Sequence, residues 1–290
     1  MPSLIDIRRR IRSVKNTEQI TKAMKMVSAA KLRRAQDRVI SARPYGAMLR
    51  KMLSNVAAAL ADDEDAGKNP LLAQRPEQHI LLVLVTSDKG LAGAFNTNLI
   101  KAAQRFTAEH LGKQAGASVR MILVGRKGRD FFRKRGATVV SDHINMASKL
   151  VYADVAAIAG KAMELYRNEE IDAVYLIYNE FKSVVAQTLL TSRVLPIQLP
   201  EQTNPVDYIF EQSPVAMLDA LLPRYVETEF YRALAESTAA EHAARMTAME
   251  AATSNAGEMI DKLTLYMNRV RQASITKEII EVVSGAAAAE

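Results

Sequence analysis

Residues 214–283 carry apolar and small side chains at steps of three and four with no convincing break. The marks are Leu218, Leu221, Tyr225, Val226, Phe230, Leu234, Thr238, His242, Met246, Met249, Thr253, Ala256, Ile260, Leu263, Met267, Val270, Ile275, Ile279 and Val282. Such steps trace one face of an α-helix, and about 70 residues at about 1.5 Å each give a rod of roughly 105 Å. A pattern this long means a coiled coil, a membrane span or a helical repeat. The charged residues along it exclude a membrane span, and no internal repeat is visible. A coiled coil remains. Residues 231–257 include ten alanines, and small side chains on a packing stripe let a partner helix come close. Pro223 is expected in the first turns, where proline is best tolerated. Gly257 costs about 1 kcal/mol relative to alanine, which a long packed stripe absorbs.

The partner is at the other end of the chain. Residues 1–55 read as one long helix, with Leu4, Ile7, Ile11, Val14, Ile20, Met24, Val27, Leu32, Ala35 and Val39 on its apolar face. Pro44 is expected to kink or split it, and the pattern resumes over residues 48–60. An acidic and then Gly/Pro-bearing stretch ends it. The expected organisation is an antiparallel coiled coil from residues 1–60 and 210–290, linkers at 61–76 and 201–209, and an α/β domain inserted at 77–200.

The inserted segment changes period. Residues 80–85 and 119–124 are continuous apolar runs, the pattern of parallel strands buried on both faces. A third run lies at 173–178, a short strand at 137–140, and an alternating, edge-like strand at 184–195. Helical patterns fall at 96–111, 126–135 and 152–167. Strands alternating with helices give an α/β sandwich, here Rossmann-like. At roughly 150 residues per domain, 290 residues make about two folding units.

Chemistry is sparse. There is no Cys, hence no disulfide and no thiolate ligand or nucleophile. The four histidines, His79, His110, His143 and His242, have no ligand spacing. The turn TSDKGLAGAFN, residues 86–96, follows the first strand as a phosphate loop would. It lacks the third glycine of a dinucleotide fingerprint and the Gly-Lys-Ser/Thr of a P-loop, so a tight strand-to-helix turn is the better reading. Gly125-Arg126-Lys127-Gly128 is a second, basic turn with the same two readings. Carboxylate pairs such as Glu169 and Glu170 sit among charged neighbours. No catalytic residue, metal ligand or cofactor site is expected.

Net charge is divided unevenly. Residues 1–55 hold 14 Lys and Arg against three Asp and Glu, while the rest holds 25 against 29. A basic first helix calls for an acidic or polyanionic partner. Nucleic acid would fit the charge, but Tyr45 is the only aromatic in that segment, so no stacking platform exists. An acidic protein sleeve fits equally well. The longest apolar run falls far short of the roughly 18 residues of a membrane span. The arginines at 8, 9, 10 and 12 read as part of the helix rather than a transit peptide.

The last segment, RQASITKEIIEVVSGAAA (residues 271–288), closely resembles the C-terminal signature of the F-type ATP synthase gamma subunit. So do residues 7–36, IRRRIRSVKNTEQITKAMKMVSAAKLRRAQ, the turn at 86–96, and RYVETEFYRALAESTAAEHAARMTAM at 224–249. The resemblance covers residues 5–287. It implies a non-catalytic rotor: the terminal helices form a central shaft in a hexamer of alpha and beta subunits. The α/β domain then meets the epsilon subunit and the c-ring. One copy per complex, no cofactor, no nucleic acid and membrane contact only through the c-ring follow. By motif match it implies that Met24, Lys25, Arg245, Gln272, Thr276 and Glu278 contact the beta subunits. Tyr208, in VDYIFE, matches the region facing the c-ring loops. The small, apolar tip from Ser284 would act as a bearing. The cysteine-bearing insert of chloroplast members is missing, so thiol control is excluded. The implied setting is the cytoplasmic face of a bacterial inner membrane. Two other classes stay open on the residues alone: a coiled-coil scaffold without a rotary role, and a nucleotide-binding α/β enzyme.

Overall fold

The computed structural model describes residues 3–60, 69–113, 116–184, 186–199 and 212–287. Its elements are α1 (Leu4–Ala59), β1 (His79–Val85), α2 (Phe95–Lys113), β2 (Ser118–Val124), α3 (Arg126–Arg133) and β3 (Thr138–His143). A 3₁₀ turn (Met146–Ser148), α4 (Tyr152–Arg167), β4 (Ala173–Phe181), β5 (Gln187–Leu195) and α5 (Pro214–Ala287) complete it. The chain divides into two compact units: Met1–Ser28 with Arg245–Glu290, and Ala29–Ala244. Both long helices contribute to both units.

The start of α1 is fixed locally. The Ser3 Oγ accepts from the Asp6 backbone N–H at 3.2 Å and donates to the Asp6 carboxylate at 2.8 Å, while the Ser3 N–H reaches that carboxylate at 3.3 Å. This reciprocal cap satisfies donors that a helix end leaves open. These hydrogen bonds from Ser3 lower the Asp6 pKa. Pro44 does not split the helix: α1 runs through it, held by buried Val39 on one side and Leu49 and Leu53 on the other. Helix α5 begins at Pro214, as the pattern implied, which puts Pro223 in its third turn.

In the smaller unit the two helices run antiparallel. Thr21 meets Thr253, and Lys25 meets Glu250, so the number rises on one helix as it falls on the other. The sheltered positions of α1 in this unit are Leu4, Ile7, Ile11, Val14, Glu18, Thr21, Lys25 and Ser28, with Met24 beside them. Those of α5 include Met249, Ala256, Ile260, Leu263, Met267, Val270 and Ser274. Steps alternating between three and four average about 3.5, the period of a left-handed coiled coil. Ile20 and Val27, expected in the seam, are 60% and 55% exposed. A count that follows apolar side chains drifts off the seam; the register instead selects Thr21 and Ser28. Ile275, Ile279 and Val282, also expected there, are exposed.

In the larger unit the sheet order is β3-β2-β1-β4-β5. The first four strands are parallel, and β5 is the antiparallel edge. β1 is buried almost throughout because both sheet faces are covered. One face takes α2, where the Phe106 ring packs at a tilt against Tyr175 with centroids 4.9 Å apart. The other face presents Leu81, Val83, Leu176 and Tyr178 to a core shared with α4. That core also includes Leu53, Val56 and Leu60 from the α1 end, and Leu218, Leu222, Val226 and Phe230 from α5. These helical segments thus belong to the same compact unit as the sheet.

Candidate functional site

Open α/β sheets bind ligands at the carboxyl ends of their strands, where the strand order reverses. Here that reversal lies between β2-β1 and β4, and the turn after β1 occupies it. Its Asp88 carboxylate accepts the Arg126 N–H at 3.1 Å and the Asn145 N–H at 2.9 Å. Arg126 begins α3, so Asp88 sits where a phosphate would sit on a helix N-terminus. The Ser87 hydroxyl donates to the Lys89 carbonyl at 2.6 Å, and the Ser87 N–H donates to the Asn96 side-chain oxygen at 3.0 Å. The turn is thus closed on its own side chains.

The basic turn behind it is a packing device. Gly125 has φ of 94°, and a Cβ there would lie 2.1 Å from the Thr86 carbonyl oxygen. The Gly128 N–H donates to the Thr86 hydroxyl at 2.9 Å. Both glycines let the two turns touch, which their motif reading as an anion loop does not require.

Helix α5 closes what remains. Leu234, Ser237, Thr238 and Glu241 line the crevice with Thr86, Asp88 and Gly125, leaving about 10 Å³, room for about one water. From Ala233 through Glu241 every α5 residue is buried, which accounts for the alanines in this segment. Among the described residues no three acidic or histidine side chains are grouped to hold a metal ion.

The residues matched to partner contacts are dispersed. Met24 and Lys25 are half-buried on α1 in the smaller unit. The Lys25 ammonium donates to Glu250 at 2.7 Å, with the two side chains 38% and 59% exposed. Arg245 is 8% exposed. Gln272, Thr276 and Glu278 are exposed on α5. At about 1.5 Å per residue, Arg245 lies roughly 40 Å along the helix from Gln272. The structure therefore brings Gln272, Thr276 and Glu278 within two turns of each other and leaves Arg245 apart. The Thr276 hydroxyl donates to the Gln272 carbonyl at 3.0 Å, and the Ser274 hydroxyl reaches the Glu278 carboxylate at 3.3 Å. Tyr208 and the linker at 201–209 lie outside the described residues, as do the side chains beyond Ser284.

Sequence reasoning missed a buried polar cluster where β4 ends against α5. Arg232 pairs with Glu229 at 2.6 Å. Burial disfavours the Arg232 charge, but Glu229 and its other neighbours outweigh that and hold its pKa up. Burial pushes the Glu236 carboxyl up; Arg232 partly opposes this, while Glu180 adds to it. Burial likewise pushes Tyr178 up to about 12. The available signal was three charged residues, 229, 232 and 236, at helical spacing within an otherwise apolar and alanine-rich stretch.

The family model described as ATP synthase matches residues 3–289. The ATP synthase gamma chain of Solibacter usitatus is 75% identical over 290 residues, covering 100% of both chains. That of Anaeromyxobacter sp. is 50% identical over 99% of both. Among solved structures, a chain of the Tetrahymena thermophila mitochondrial ATP synthase central stalk and c-ring is 26% identical. It covers 80% of this chain and 99% of its own, with a TM-score of 0.61. A chain of the Euglena gracilis mitochondrial ATP synthase shares the fold at 19% identity and a TM-score of 0.65, over 98% of this chain and 94% of its own. With its helix pair, its self-closed α/β domain and full-length likeness to these relatives, the chain belongs to the ATP synthase gamma chain family.

Proposed function

We propose that the chain is the central rotary shaft of an F-type ATP synthase, passing torque between a membrane c-ring and catalytic beta subunits. It is a non-catalytic subunit: its ligand crevice is filled by α5 and its anion position by Asp88. The observation that carries the reading is the unpartnered end of α5. Ile275, Ile279, Ile280, Val282 and Val283 are 48–71% exposed. An apolar surface of this kind on a helix calls for a surrounding partner, as a hexamer of alpha and beta subunits provides.

On this reading Lys25 and Met24, and further along α5 Gln272, Thr276 and Glu278, meet the beta subunits. Arg245, being buried, acts through the helix pair and its immediate neighbours. Tyr208 faces the c-ring loops, and the epsilon subunit binds the α/β domain. The shaft is residues 1–60 with 210–290, and the inserted domain is residues 77–200. No helix among the described residues is long and apolar enough to cross a membrane. On this reading the chain meets the membrane through the c-ring, on the cytoplasmic face of a bacterial inner membrane.

The test is reconstitution. The chain mixed with alpha and beta subunits should co-purify as one copy per hexamer, and a bead fixed to it should rotate on ATP addition. A hexamer that hydrolyses ATP while the bead stays still would refute the rotary role. A scaffold without torque would also co-purify, and the rotation readout separates the two.

A further inference from the structure

A cavity of about 580 Å³ lies between α1 and α5 in the larger unit, within the roughly 300–1,000 Å³ of small-molecule sites. Its two sides carry opposite charge. The α1 side contributes Arg38, Arg43 and Arg50 and no carboxylate; the facing side contributes Glu180 from β4 and Glu229, Arg232 and Glu236 from α5, three carboxylates against one guanidinium. Glu229 is taken up by Arg232, and Glu180 lies 3.6 Å from Lys182.

Glu236 is left over. It is 4% exposed, and its Oε2 has no hydrogen-bond partner; nor has the Nε of Arg232, one turn earlier. A buried carboxylate oxygen without a donor is strongly unfavourable. An enclosed ligand that supplies a donor removes that penalty. A metal ion does not suit, since the described acidic side chains form no group of three that could hold one. Rotation about the last torsion of a Glu side chain is soft, so the carboxylate can turn either oxygen toward the cavity.

We propose that this cavity binds a small zwitterion, with a guanidinium or ammonium group donating to Glu236 and a carboxylate facing the α1 arginines. The separation of charge sets the class: a simple cation would meet the arginines, a simple anion the carboxylates. A bound zwitterion bridges α1 to α5 at this point. The site is distinct from the shaft's partner contacts and does not rest on them.

The test uses the full chain and three probes: L-arginine, agmatine (the same side chain without the carboxylate) and glutarate. Saturation-transfer NMR and calorimetry should show L-arginine binding, with agmatine and glutarate each about tenfold weaker. E236Q should weaken L-arginine about tenfold while leaving the circular dichroism unchanged. R43Q, at an exposed position, should weaken L-arginine but not agmatine. A capped arginine–aspartate dipeptide serves as the remaining arm; tighter binding of it than of L-arginine would overturn the free zwitterion in favour of a partner's side chains. Absence of saturable binding by every probe, or a folded E236Q that binds L-arginine as the parent does, would also overturn the proposal.

Discussion

Thr21 and Thr253 face each other with hydroxyl oxygens 2.8 Å apart, and each also reaches a carbonyl on its own helix, Glu18 at 3.0 Å and Met249 at 2.7 Å. Each hydroxyl has one proton. Of these three hydrogen bonds only two can exist at once, so one hydroxyl donates across the seam while the other donates to its backbone. This shared arrangement ties the register of the two helices to a polar pair rather than to apolar volume alone.

Replacing either threonine by valine should therefore cost about 1 kcal/mol, the scale of one net hydrogen bond. The double variant should lose about what the two singles lose together, since each single leaves the remaining hydroxyl donating to its own carbonyl. Urea unfolding of the three variants gives the coupling. A single variant as damaging as the double would show that the remaining hydroxyl does not fall back on its own helix.

Lys25 and Glu250 form a close pair that solvent still reaches. Exposed pairs are worth about 0–1 kcal/mol, so Lys25→Ala should move the unfolding midpoint little. If Lys25 meets the beta subunits, the same change should lower coupled ATP synthesis in the assembled enzyme. A large loss of stability with unaltered coupling would reverse this assignment.

Gln272, Thr276 and Glu278 should matter for torque, and the tip for little. Hydrogen bonds to charged partners are directional and worth about 1.5–3 kcal/mol each. Gln272→Ala and Thr276→Ala should impair synthesis more than assembly, while a chain ending at Ser284 should be mildly affected. Assays of synthesis, hydrolysis and complex recovery separate the cases. Normal coupling in the point variants with lost synthesis in an intact truncated complex would contradict the roles given.

Gly125→Ala should be among the most damaging small changes in the chain. The added carbon meets the Thr86 carbonyl at 2.1 Å on a backbone with φ of 94°, and strain with a clash costs about 3 kcal/mol or more. Gly136→Ala is the control: its φ is 69° with nothing within 4 Å, so only the backbone term, about 1 kcal/mol, remains. Denaturant midpoints of the two variants should differ clearly.

Glu236 predicts a pH effect of definite sign. Its carboxyl is pushed above the usual carboxylate range by burial. Between the ordinary and the raised pKa the folded chain holds a proton that the unfolded chain has lost. The stability this group supports is present at acid pH and lost as pH rises through the folded value. Glu236→Gln should thus be more stable than the parent at neutral pH, with the gap closing toward about pH 4. A gap that widens on acidification would mean that Glu236 is held as a stabilised carboxylate.

The two long helices were legible because a three/four pattern over so many residues has few other solutions, and the β1 and β2 runs because doubly covered strands must be apolar. The seam itself was not. Ile20 and Val27 are apolar yet exposed, while Thr21 and Ser28 are polar yet buried. Composition marks what a helix can bury, whereas register against the partner decides what it does bury. The C-terminal isoleucines and valines misled in the same way, being apolar for a surface that this chain alone does not cover. The cluster at Arg232 and Glu236 was hidden because its partners, Glu180 and Tyr178, come from a strand about 50 residues away in sequence, a separation read from their numbering.

Asp88 has a further consequence. A doubly wound sheet usually changes shape or affinity with whatever anion its first turn holds. Here the anion is part of the chain, and an incoming phosphate would have to displace a carboxylate that two backbone N–H groups already hold.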